Sequence, residues 1–184
     1  MRCFVGVPVE PLLGVELLSL RDDMLAGLGG GCPRAVPAAN FHLTLAFLGE
    51  QPDDSVTLLD ALLAELAGRH HALVQPLEQV SLFPDNRARL LAAHGPGTPA
   101  LLSLAEDLQQ RLADTLPGYQ PERRTFRPHV TLARLDLPVV PAPLRVVALP
   151  LRVEALVLYR SDQVNGKTVY RLLRQAELPG ARVR

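Results

Sequence analysis

Tryptophan is absent from this chain of 184 residues, aromatic residues of all kinds make up 4%, and Lys167 is the single lysine among 19 basic residues. The scarcity of lysine leaves Arg as the basic side chain, a planar fork suited to phosphate oxygens. The two cysteines, Cys3 in a short apolar run and Cys32 in a Gly/Pro segment, are too few and too scattered for a disulfide framework or a cysteine-rich metal cluster. Neither sign of charge is in excess: 19 basic residues balance 19 acidic ones. That balance excludes the polybasic face that holds long duplex nucleic acid, so a nucleic-acid partner is expected to be engaged locally, at an end. No run is long enough for a membrane span, and the apolar stretch after Arg2 stops at Pro8, too short for a signal peptide. A cytoplasmic protein is expected, with no membrane contact, no metal and no cofactor. The length suits one domain, residues 1–184, that buries a substantial core.

What is present begins with periodicity. Residues 2–8 alternate as a short strand, and Pro11 opens a helical pattern running to Leu28, where Gly29-Gly30-Gly31 ends it. A strand is expected over 41–48. Asp53 or Asp54 can cap a helix reaching about Gly68 along the stripe Leu58, Leu59, Leu62, Leu63 and Leu66. Strands are expected at 73–82 and 88–92 around the turn-like Pro84-Asp85-Asn86, and Thr98-Pro99 starts a helix to about 116. Further strands are expected near 125–134, 145–149, 151–160 and 168–175, after a proline-rich loop at 136–143 and with Asn165-Gly166 as the last hairpin turn.

Two of these strands carry the same tetrapeptide pattern. Phe41-His42-Leu43-Thr44-Leu45-Ala46 and Pro128-His129-Val130-Thr131-Leu132-Ala133 place their histidines 87 positions apart. Side chains alternate faces along a strand, so His42 and Thr44 share one face, as do His129 and Thr131, while the leucines and Val130 point the other way. The order reads as a duplicated unit of helix followed by motif strand. Pairing the halves about a pseudo-twofold axis brings both motifs to one groove. The fold class expected is α+β: two pseudo-symmetric lobes of antiparallel sheet with helices packed outside and a central groove.

Two other patterns fail on context. Gly166-Lys167-Thr168 lacks the earlier glycine of a phosphate-binding loop and lies in a hairpin. The glycines from Gly27 to Gly31 follow a helix instead of opening one. His70-His71 closes a helix, His94 lies in a Gly/Pro loop without an evident partner, and Cys3 reads as core.

The residues resemble those of the two-histidine (2H) phosphoesterase superfamily and, within it, the bacterial RNA 2′,3′-cyclic phosphodiesterases, also called 2′-5′ RNA ligases. The matching segments are Arg2-Cys3-Phe4, the run from Asn40 to Gly49, Phe83-Pro84, the run from Phe126 to Arg134, Leu158-Tyr159-Arg160-Ser161, and Gly166 to Tyr170. The chain departs at Arg34-Ala35-Val36, where relatives carry an aromatic after the Arg. The resemblance implies hydrolysis of RNA or nucleotide 2′,3′-cyclic phosphodiesters to a 2′-phosphomonoester by metal-independent acid–base catalysis, with reversible 2′-5′ ligation through the same residues. It implies His42 as proton donor and His129 as proton acceptor; the residues alone fix the pair without fixing which does which.

The chemistry suits the residue types. A free imidazole titrates near pH 6.5, so one ring can take a proton from water while the other gives one to the departing ribose oxygen. Thr44 and Thr131 hydroxyls can donate to the nonbridging phosphoryl oxygens. Arg134 and Arg127 are candidates for phosphate contacts. Arg134 lies five positions from His129, so a regular strand turns it away and only a bulge or strand end brings it back. Phe47 is a candidate for a base contact, but its odd spacing from His42 favours core packing. Expected partners are RNA ends bearing a 2′,3′-cyclic phosphate, tRNA fragments among them, or cyclic nucleotides, acted on by a monomer with no obligate protein partner. The competing class is a non-catalytic nucleotide- or RNA-end-binding module on the same fold.

Overall fold

A computed structural model describes residues 1–28, 33–85, 89–136 and 143–180. Nine strands and three α-helices are present among them: β1 Arg2–Pro8, α1 Pro11–Ala26, β2 Arg34–Ala35, β3 His42–Glu50, α2 Ser55–Arg69, β4 Leu73–Phe83, β5 Leu90–His94, α3 Pro99–Thr115, β6 His129–Arg134, β7 Leu144–Val153, β8 Ala155–Val164 and β9 Lys167–Glu177. Every pairing is antiparallel. The order across the sheet is β7-β4-β5-β6-β3-β1-β8-β9, with β2 appended to β6.

That order has a centre. The motif strands β6 and β3 lie side by side, flanked by β5 and β1, then β4 and β8, then β7 and β9. On each side a helix connects the flanking strand to the motif strand: β1-α1-β3 in one half and β5-α3-β6 in the other. The two expected lobes are therefore halves of one continuous sheet.

The helices cover the face opposite the histidines. Leu101, Leu104, Ala105, Leu108 and Leu112 of α3 recur at helical spacing and are buried, and Leu59, Leu62, Leu63, Leu66 and Ala67 of α2 repeat the pattern. They share one core with Leu43, Leu45, Val130 and Leu132 from the motif strands. Each fully buried leucine contributes about 2 kcal/mol, so burying the Leu/Val face is what fixes the His/Thr face outward.

Several expected boundaries move for physical reasons. β7 runs unbroken through Pro150 because it is an edge strand, where a missing N–H is tolerated. β6 starts at His129 and not at 125, since Pro128 has no N–H to give to a ladder. α1 stops at Ala26, with the Gly27 N–H bonded to the Asp23 carbonyl. Gly29–Gly31, Cys32, Asn86 and most of the 136–143 loop lie outside the described residues. Asp54 sits at the α2 N-cap but its side chain makes no capping bond, whereas Thr98 accepts one from the Leu101 N–H. Asn165 and Gly166 both have positive φ, as the hairpin turn requires. Among the described residues, no helix is long and apolar enough to cross a membrane.

Candidate active site

β3 and β6 meet at a single bridge, Leu43 opposite Val130. Antiparallel register then sets His42 against Thr131 and Thr44 against His129, so four polar side chains cluster at the seam with the imidazoles on a diagonal. Diagonal neighbours of this kind are about 7–8 Å apart.

Both rings are oriented by a carbonyl two residues back. His42 Nδ1 lies 2.7 Å from the Asn40 carbonyl and His129 Nδ1 lies 2.9 Å from the Arg127 carbonyl. A carbonyl only accepts, so Nδ1 carries the hydrogen in each ring and Nε2 is the nitrogen free to exchange a proton. The Thr44 hydroxyl already donates to His42 Nε2 at 3.0 Å. Asn40 is itself anchored: its side-chain N–H donates to the Thr168 carbonyl at 2.8 Å, tying the start of β3 to β9.

The surroundings of the two rings differ. His42 packs among Phe4 (centroids 4.7 Å apart) and Tyr170 (5.0 Å, edge-on), and Phe4 stacks in turn on Tyr159. His129 stacks on Phe83, and the Arg127 guanidinium lies 5.0 Å from the centre of the same Phe83 ring. Burial pushes both imidazoles below their ordinary value; the neighbouring His129 adds to this for His42, and Arg127 adds to it for His129. At neutral pH both rings are uncharged.

The remaining sequence candidates reach the same face by a device shared between the strands. In the β1–β3 ladder Val5 pairs with Ala46 and Gly6 with Thr44, which leaves Leu45 as an extra residue. In the β5–β6 ladder Leu91 pairs with Ala133 and Ala92 with Thr131, which leaves Leu132 extra. Each bulge shifts the alternation by one, so the residue five after each His returns to the His face. Arg134 is thereby exposed on that face, as the spacing requires of a bulged strand. Phe47 is 70% exposed beside Phe4 (6.2 Å between centroids), so the core position favoured by its spacing is wrong, and the bulge is the reason.

His94 was not legible as part of this region. It ends β5 as the cross-strand partner of His129, is buried, and has Ser81 Oγ at 2.8 Å and the Gln79 side-chain amide at 3.3 Å from its Nε2. Its neighbours Gln79, Phe83, Phe126 and Arg127 line a cleft of about 310 Å³ beside His129. His70 lies apart from both, paired to Asp107 at 3.0 Å together with Arg69. No group of His, Cys, Asp and Glu among the described residues is arranged to hold a metal.

A sequence model described as the 2′-5′ RNA ligase superfamily matches residues 19–165. The RNA 2′,3′-cyclic phosphodiesterase of Bacillus subtilis is 31% identical over 133 residues, 71% of this chain and 69% of that protein. The Thermus thermophilus enzyme of the same name is 30% identical over 154 residues, 80% of this chain and 76% of that one. Among solved structures, TT0787 of Thermus thermophilus superposes with a TM-score of 0.83 at 29% identity, covering 98% of this chain and 99% of that one. Escherichia coli LigT complexed with 3′-AMP gives 0.77 at 27% identity, covering 96% and 97%. With two His-x-Thr strands facing one another across the centre of an antiparallel sheet, and with these matches along most of its length, the chain belongs to the 2′-5′ RNA ligase superfamily of two-histidine phosphoesterases.

Proposed function

We propose that the protein hydrolyses RNA 2′,3′-cyclic phosphate ends to 2′-phosphates, with His42 as general acid and His129 as general base. The observation that carries this reading is the seam register, which sets both His-x-Thr pairs side by side, with Nδ1 of each ring taken by a carbonyl and Nε2 left to exchange a proton. His129 Nε2 takes a proton from the attacking water, and His42 Nε2 gives one to the departing ribose O3′. Thr44 and Thr131 donate to the nonbridging oxygens, where charge grows in the transition state.

The assignment of roles follows the family resemblance; burial lowers both rings, with Arg127 adding to this at His129 and His129 adding to it at His42. His42 acquires its proton when the anionic phosphate enters the seam. Phe47 offers an exposed ring for a nucleobase, and Arg127 flanks the phosphate. Protons move only between imidazoles, water and ribose, so no step calls for a metal. The same ring opening with a 5′-hydroxyl in place of water passes through the same groups, with O3′ again leaving, and forms a 2′-5′ bond.

The experiment is incubation of an RNA oligonucleotide ending in a 2′,3′-cyclic phosphate with wild type, His42→Ala and His129→Ala, all in EDTA. The expected result is a 2′-phosphate from wild type alone. A 3′-phosphate product exchanges the two roles, and binding without conversion overturns the hydrolase reading in favour of a binding module.

A further inference from the structure

Strand β5 ends on a buried imidazole that the proposed chemistry does not use. His94 stands directly opposite His129 in the β5–β6 ladder and directly opposite Gln79 in the β4–β5 ladder, so the three side chains form one row on the imidazole face. Burial, then the Arg127 charge and then His129 lower its affinity for a proton, and at neutral pH the ring is uncharged. Its Nε2 is engaged by Ser81 and Gln79, so what the ring offers His129 is a fixed shape.

His94 is held on one side and holds a neighbour on the other. Ser81 Oγ lies 2.8 Å from His94 Nε2, is nearly buried itself, and donates to the Leu82 carbonyl at 3.2 Å. Ala92, directly opposite Ser81, carries only a methyl group and leaves the His94 ring room to cross diagonally to the hydroxyl. Towards the seam the ring meets Phe83, with centroids 5.1 Å apart and planes at 62°, an edge contact that aromatic pairs favour. Phe83 in turn stacks on His129. One ring therefore lies between two imidazoles, the first tied to β4 by hydrogen bonds and the second the proposed base. The bond from His129 Nδ1 to the Arg127 carbonyl leaves its ring free to tilt, and a stack on a ring that is itself braced removes that freedom.

We propose that Ser81 and His94 are positioning residues for His129: they brace Phe83 and, through it, set the orientation of the base. This rests on the proposed hydrolase reading and adds to it two residues that never touch the substrate.

Ser81→Ala removes the anchor with little change in volume. On an RNA ending in a 2′,3′-cyclic phosphate its kcat is expected to fall about tenfold with KM unchanged, and Ser81→Thr, which keeps a hydroxyl, to recover part of the loss. In a Phe83→Leu background Ser81→Ala is expected to cost nothing further, since the intermediary is already gone. An unchanged kcat in Ser81→Ala, or an equal loss in both backgrounds, overturns the proposal. The ring-current shift that Phe83 imposes on the His129 ring protons, read by NMR, follows the stack without turnover. It is expected to shrink in Ser81→Ala and to return in Ser81→Thr, and an unchanged shift overturns the proposal. If wild type opens no cyclic phosphate, the hydrolase reading fails alone, and the NMR shift still decides whether Ser81 and His94 orient His129.

Discussion

The imidazole of His129 stacks on the ring of Phe83, centroids 4.2 Å apart and planes 22° from parallel. With Nδ1 bound to the Arg127 carbonyl, this stack leaves the ring one orientation, with Nε2 toward the seam. Phe83→Leu keeps an apolar side chain of similar volume but loses the flat partner. Its kcat is expected to fall roughly tenfold, for a misplaced base costs rate out of proportion to the displacement, while thermal stability drops modestly. Phe83→Ala also opens a cavity under a nearly buried ring and is expected to cost about 3–5 kcal/mol in denaturant unfolding.

Replacement of either motif histidine removes a proton-transfer group. His42→Ala and His129→Ala are each expected to lower kcat by about 10²–10⁴-fold, with unfolding midpoints close to wild type because both side chains are only partly buried. Single-turnover kinetics on a cyclic-phosphate RNA measure this.

The direction of the imidazole shifts sets the pH profile. Burial holds both rings below 6.5, so a log kcat/KM profile, which reports the free enzyme, is expected to peak below pH 6.5. Arg127→Ala removes a charge that opposes protonation of His129, and is expected to move the limb due to that ring to higher pH.

Stability follows from the same shifts. His42, His94 and His129 all bind protons less readily folded than unfolded, each chiefly through burial. The unfolded chain therefore holds more protons, and stability rises with pH through this range. The contribution of these rings is complete above their unfolded value near 6.5 and is lost as pH falls toward their depressed folded values. Melting temperature is expected to be flat from pH 8 to 7 and to fall from 6.5 downward. His94→Gln, neutral at every pH, is expected to shallow that fall.

Gly6 lies where β1 passes the first motif. A Cβ there would stand 2.8 Å from the Leu43 carbonyl oxygen and 3.5 Å from His42 Cδ2. Gly6→Ala forces backbone and ring apart, with an expected loss of about 1–3 kcal/mol and a drop in kcat that disappears in the His42→Ala background, where Gly6→Ala adds no further loss.

The His-x-Thr pairs and the apolar face behind them were legible because both depend only on period two, and α2 and α3 on spacing in leucine. Arg134 was legible as a conditional, the bulge being the condition. Phe47 misled because Leu45 and Leu132 look like ordinary strand residues; their being extra is a property of the ladders with β1 and β5, not of their own sequence. His94 escaped because its significance is a partnership across strands with His129, 35 residues away. Nor does the two-residue β2 have enough sequence to announce itself, and it is the element that sets Arg34 beside Arg134.

The paired bulges give each motif strand two reading frames. Positions zero and two after the first residue of His-x-Thr obey one parity and position five the other, so the reacting groups and the residue at the rim of the groove are separately adjustable. Phe47 and Arg134 are the same structural address written with different chemistry, a ring in one half and a cation in the other. The repeated motif makes the two halves alike around the seam; the sixth letter of each word makes them unlike, and with that difference the nearly symmetric groove acquires a direction.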